Sequence, residues 1–151
     1  MSGQRDPYAP FRPVTGARVA RVAALASLLV FGGIALLGPS YTDSATAMSL
    51  LNRVAIAGFG LAMAAFLWRY ARIRAVPSRT GLLVVNIVQR RELDWAQVVN
   101  VGFSGGSPWV VLELDDTEEV AVMAIQRADG RRAQREAARL AALVEHHQQA
   151  S

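Results

Sequence analysis

The sequence predicts an α+β membrane protein: a two-helix transmembrane hairpin followed by a small antiparallel β-sheet that one C-terminal helix caps. Three observations carry this expectation. Two apolar runs occupy much of the first half, arginines flank both, and from Pro77 onward hydrophobicity alternates in short stretches before a last amphipathic segment. The spans consume so much of the 151 residues that roughly 75 remain for a soluble unit, whose core is small for its surface. The chain holds no cysteine, which excludes disulfides, thiol catalysis and Cys-based metal sites.

Residues 1–16 (MSGQRDPYAPFRPVTG) contain three prolines and no apolar period, the pattern of a disordered cytoplasmic tail. The first apolar run, Val22 to Leu37, lies between Arg21 and Gly38-Pro39. A helix from Ala17 to Gly38 would be about 33 Å long, enough for a hydrocarbon core of about 30 Å. The second run, Val54 to Trp68, needs "MSLLNR" upstream to reach spanning length, which places Asn52 and Arg53 inside the helix. Arg53 reads as snorkelling to the outer interface, with an intramembrane polar site at Asn52 and Arg53 as the alternative. Gly58/Ala62 and Gly60/Ala64 are small-residue pairs suited to close helix approach. Arginines, an apolar run and "ATA" at 45–47 also resemble a cleaved secretory signal; the length of the run and the second span argue against it.

Charge gives the orientation. Residues 1–76 carry eight arginines against Asp6 and Asp43, and residues 77–151 carry eight arginines against ten acids. The basic excess therefore flanks the spans, a topology signal rather than a nucleic-acid footprint, and no nucleic-acid partner is expected. Arg5, Arg12, Arg18 and Arg21 precede the hairpin; Arg69, Arg72, Arg74 and Arg79 follow it. Both termini of a multi-pass inner (plasma) membrane protein are thus expected in the cytoplasm, with Arg69, Arg72, Arg74 and Arg79 contacting anionic lipid. The predicted boundaries are a tail at 1–16, the hairpin at 17–76 and the cytoplasmic domain at 77–151.

Within that domain five short strands are predicted. They are "TGLLVVNIVQ", "RREL", "VVNVGFS" up to Gly105-Gly106, "PWVVLELDD", and "TEEVAVMAI" after a turn at Asp115-Asp116-Thr117. "LDWAQV" breaks the alternation and reads as a single helical turn that drops Trp95 into the core. After Asp129-Gly130, Ala133, Ala137, Leu140, Ala141 and Val144 share one face of a helix, with Asp129 as its N-cap.

The segments "LDWAQVVNV", "SPWVVLEL" and "AIQRADG", placed after two membrane helices, resemble the PH-like membrane proteins of actinobacteria related to mycobacterial low-molecular-weight protein antigen 6. The resemblance covers most of residues 20–145. It implies a pleckstrin-homology-like fold for the C-terminal half, and basic residues near the first hairpin as phosphoinositide contacts. Arg90 and Arg91 stand roughly there and are the candidate phosphate ligands. Their opposite strand faces and the adjoining Glu92 favour solvated charges instead. Seven strands and a helix complete a PH domain, so five leave an open edge, expected around Thr80 to Val88.

No catalytic grouping, metal site or cofactor motif emerges. The acids at 115–119 suit a hairpin turn better than a calcium loop, His146 and His147 read as a frayed tail, Trp95 and Trp109 as core anchors, and "GFSGGS" as a hairpin loop. The expected function is non-enzymatic: a membrane-anchored PH-like module for protein interaction or complex scaffolding, with a protein partner or a second copy pairing at a sheet edge. The alternatives are an anionic-lipid head-group sensor and a small membrane enzyme or transporter subunit built on Asn52 and Arg53.

Overall fold

The computed structural model describes residues 6–38 and 46–149, with only the backbone described for residues 46–49. Arg5 and Asp43 lie outside the described residues. The chain forms two compact units. One is Ala17–Arg72; the other joins the segment ending at Gly16 to everything from Ile73 onward.

In the first unit, α1 (Thr15–Leu37) and α2 (Thr46–Tyr70) run antiparallel. Arg53 meets Ala35 and Gly38, Phe59 meets Phe31, and Gly60 meets Ser27. Small residues permit this approach. A Cβ on Gly60 would stand 2.5 Å from that of Phe31, the Ser27 hydroxyl donates to the Gly60 carbonyl at 3.2 Å, and Ala20, Ala24 and Ala64 are buried. Gly58 and Ala62, the other expected pair, face away from this seam. Val22, Leu25, Leu29, Leu51 and Leu61 point outward, so both helices are apolar on their exposed faces as well as long enough to cross a membrane.

Among the described residues, the second unit holds six strands in two antiparallel three-stranded sheets. The first comprises β1 (Arg74–Pro77), β2 (Gly81–Val85) and β3 (Arg90–Asp94), paired in that order. A 3-10 turn at Trp95–Gln97 leads to the second sheet of β4 (Val98–Gly102), β5 (Trp109–Leu114) and β6 (Glu119–Gln126). A second 3-10 turn (Arg127–Asp129) precedes α3 (Arg131–Gln149). Ala75, Leu82, Val84 and Leu93 of one sheet, Val110, Leu112 and Val122 of the other, and Leu140, Leu143 and Val144 of α3 are buried. Trp95 is buried as expected, its indole N–H donating to the Ser78 carbonyl at 3.0 Å. The acids at 115–119 form the expected turn, with Thr117 at φ 68 and the Leu114 N–H bonded to the Glu118 carbonyl.

Four expectations need correction. The segment before α1 is not a loose tail: residues 6–14 pack on the domain. Phe11 is 1% exposed and exchanges backbone hydrogen bonds with Ala75 (2.8 and 3.1 Å), and the Arg139 guanidinium lies 3.8 Å above its ring. Second, the domain starts at Ile73 rather than at 77, because β1 occupies a stretch whose arginines made it read as a flank. Third, β2 is the central strand of its sheet. Val85 opposes Arg74 on one side and Arg90 on the other, so Thr80 to Val88 is no free edge and proline at Val85 would interrupt the middle of a sheet.

Fourth, Asp129 does not cap α3. Its carboxylate accepts the N–H groups of Val14 (3.0 Å) and Thr15 (2.9 Å), which opens α1. Those amides have no partner within their own helix, and a carboxylate there also complements the helix dipole. α3 itself continues to Gln149 without a frayed histidine end. His147 stacks on Trp95 (centroids 5.2 Å, 5° between planes) and meets the Tyr8 hydroxyl at 3.0 Å.

Replacing Phe11 by alanine removes the core residue that the N-terminal segment supplies. Phe11→Ala is expected to destabilise the domain by about 3–5 kcal/mol, measured by chemical denaturation of the full chain in micelles. A loss below about 1 kcal/mol would show that the segment is not part of the cooperative core.

Candidate functional site

The candidate residues are almost all arginines, and the structure gives each a different environment. Arg53 of α2 donates to the carbonyls of Ala35 (2.6 Å), Leu36 (3.0 Å) and Gly38 (2.6 Å). These are among the last carbonyls of α1, which lack partners in their own helix, and one planar guanidinium satisfies three of them. Arg53 is therefore the C-terminal cap of the neighbouring helix. This capping role stands beside the expected position of Arg53 at the end of the apolar run; Asn52 is exposed.

Arg90 and Arg91 separate as alternation requires. Arg91 makes a two-pronged ion pair with Glu118 beside the β5–β6 turn, and this hydrogen bond and charge push its pKa further up. Arg90 is exposed and reaches Glu92 at 3.4 Å. The two do not converge on a common phosphate position. Arg69 ends α2, Arg72 follows it, Arg74 opens β1 and Arg79 sits in the β1–β2 turn. Since β1 runs from Arg74 to Pro77, Arg79 lies at the opposite end of the sheet, roughly 13 Å along the strand. The register instead aligns Arg74, Val85 and Arg90 in one row. Sequence reasoning missed that grouping because the pairing depends on a strand hidden in the basic flank.

Two further arginines were not anticipated. Arg139 of α3 donates to the Pro7 and Ala9 carbonyls (2.9 Å each) and to Glu136 (2.7 and 3.1 Å) while covering Phe11. It clamps the N-terminal segment. Arg127 donates to the Ser107 and Phe103 carbonyls and lies 4.7 Å from the Phe103 ring centroid, shaping the loop after β4. A crease of about 160 Å³ opens beside it, lined by Phe103, Arg127, Gly130, Ala133 and Gln134. That is smaller than the roughly 300 Å³ at which small-molecule sites begin.

The sheets meet through Asn86, whose amide donates to the Ala121 carbonyl at 2.8 Å and accepts the Met123 N–H at 3.3 Å. One side chain thus substitutes for a strand along the outer edge of β6. Asn86 at the β6 edge and the strap held by Arg139 thus tie one helix and two small sheets together.

Comparison with known proteins agrees with this architecture. Residues 72–142, from just before β1 into α3, match the family described as "Bacterial PH domain". Uncharacterized proteins of Mycobacterium bovis and of two strains of Mycobacterium tuberculosis are each 36% identical over 91 residues, 60% of this chain and 59% of theirs. The chain thus matches less than two thirds of the length of these curated relatives. No solved structure matches. Residues 72–142 are thus similar to bacterial PH domains, and the chain is similar to mycobacterial proteins; none of these descriptions carries the antigen name, and none states an activity.

Two outcomes follow from this geometry. Arg53→Met keeps the length but removes every donor, and is expected to destabilise the hairpin by about 1–3 kcal/mol with Arg53→Lys recovering part, read by detergent-induced unfolding of the full chain. Asp129 supplies a pH dependence. Burial pushes its carboxyl up, but the backbone N–H groups of Thr15 and Val14, the Thr15 hydroxyl and the Arg132 charge bring it net below its usual value. A depressed folded-state pKa means that its contribution is present above the unfolded value of about 3.9 and is lost as pH falls through the lower folded value. Asp129→Asn should therefore flatten the acid limb of the stability profile; an unchanged limb would show that other carboxylates set it.

Proposed function

We propose that this protein is a non-enzymatic, membrane-anchored scaffold whose PH-like domain works at the inner face of the plasma membrane by pairing with another chain. The supporting observation is that the domain is assembled from both flanks of the helical hairpin, with Phe11 and Ala75 hydrogen-bonded to each other. A domain built this way requires both flanks on one side of the bilayer, and the arginine bias of those flanks favours the cytoplasmic side. Signal cleavage near Ala47 would remove Phe11 from the core, which favours retention of the first helix.

The pairing edge is β4. Phe11 bridges β1, Asn86 covers β6, and β3 carries Arg90, Arg91, Glu92 and Asp94, charges that discourage strand addition. β4 carries no charge and exposes Val99 at 64%, although Gln148 donates to the Val98 carbonyl and the Asn100 side chain accepts the Val101 N–H. Anchoring holds copies at one height, which raises their effective concentration for such pairing.

Because the chain is cysteine-free, single cysteines report cleanly. Cysteines at Pro10 and Gln134 are expected to label only from the cytoplasmic side, and Val99→Cys to give a crosslinked pair in native membranes. Labelling from opposite sides would overturn the shared-side topology; absence of the crosslink in a correctly oriented chain would overturn pairing through β4.

A further inference from the structure

Among the described residues, two large apolar side chains outside the helices are strongly exposed: Val99, considered above, and Val88 at 82%. Val88 lies at the tip of the β2–β3 turn, next to half-buried Ile87. The turn is held firmly. The Asn86 N–H donates to the Gln89 carbonyl at 2.9 Å, while the Asn86 side chain is fixed to the backbone of β6. Val88 is therefore presented outward on a turn held by hydrogen bonds, with Ile87 half-buried beside it.

The register shows which end of the sheet this is. Arg74 opposes Val85, and Val85 opposes Arg90, so the turn at 86–89 projects from the end at which β1 begins. β1 begins at Arg74, and α2 ends at Tyr70. The tip thus occupies the end of the sheet at which β1 begins, the end that also carries the row of Arg74 and Arg90. Arg90 spends little on Glu92, since that pair is exposed and 3.4 Å apart.

An apolar tip between cations matches the boundary between head groups and acyl chains, where apolar side chains leave water and arginines meet anionic lipid. A protein partner fits less well: two aliphatic side chains are far short of the about 800 Å² per partner of a stable interface. We propose that Ile87 and Val88, flanked by Arg74 and Arg90, form a membrane-interface contact that seats the PH-like domain on the anionic leaflet. The inference rests on reading α1 and α2 as membrane spans. It differs from a head-group site at Arg90 and Arg91, because it needs no convergent phosphate ligands.

The test uses the full chain with a single cysteine at Val88 or at Val99, labelled with the environment-sensitive dye NBD. Each is reconstituted in vesicles of phosphatidylcholine with or without phosphatidylglycerol. The dye at position 88 is expected to shift to the blue and to lose about half of its emission to doxyl-labelled lipid, while position 99 is unaffected by that lipid. Arg74→Gln combined with Arg90→Gln should reduce the shift, most clearly in the anionic vesicles. A chain that floats with the vesicles but leaves position 88 as aqueous as free dye overturns the contact and leaves the anchoring reading intact. A blue shift without lipid quenching assigns the tip to a protein contact and also overturns it. A chain that carbonate washes from the vesicles overturns the anchoring reading and this inference with it.

Discussion

The domain depends on one contact between distant parts of the chain: Phe11, its backbone bonded to that of Ala75 and its ring beneath the Arg139 guanidinium. A domain of this size has little apolar surface to bury, and a fully buried phenylalanine is a large fraction of what it has. The contact is reinforced along the strap. Arg139 binds the carbonyls of Pro7 and Ala9, Tyr8 meets His147, and Asp129 takes the amides of Val14 and Thr15. These bonds satisfy polar groups on a proline-containing segment that has no strand or helix ladder of its own. The consequence reaches beyond stability, because the domain closes only when the chain has passed through both helices and returned.

Such closure would be expensive for a flexible linker, since ordering two remote segments costs loop entropy. Here the intervening residues form an antiparallel hairpin, so the start of α1 and the end of α2 lie at the same end of that unit. Arg53 and Gly60 secure the geometry in different ways, one by capping α1 and the other by letting the helices approach. The hairpin and the domain therefore depend on each other through the chain: the first brings the two flanks to one side, and the second joins them.

This division also explains what the sequence made legible. Long apolar runs and strand-by-strand alternation are local, and they located both helices, β2 to β6 and α3 in outline. Trp95 was readable because the interruption at "LDWAQV" is local too. The misses all concern pairs remote in the chain. Phe11 is a lone aromatic among prolines until Ala75 and Arg139 are beside it. β1 has only four residues, one an arginine and one a proline, and becomes a strand through β2. Asp129 precedes a helix in the sequence but serves a different one in space. The capping partners of Arg53 were not legible because they belong to another helix's C-terminus.

Composition misleads in the same manner. With no lysine in the chain, every basic residue is an arginine, and the planar guanidinium suits work that an ammonium does less well: bridging several carbonyls, pairing a carboxylate with two bonds, and lying over a ring. Arg53, Arg91, Arg127 and Arg139 are each engaged in one of these ways. These guanidinium groups keep their charge but direct their donors toward groups of their own chain. What reaches outward is set by register rather than count, and the row that joins Arg74 to Arg90 through Val85 exists only because β2 is central. The strand order that removes the expected edge is the same feature that assembles a basic, apolar-tipped end on the sheet.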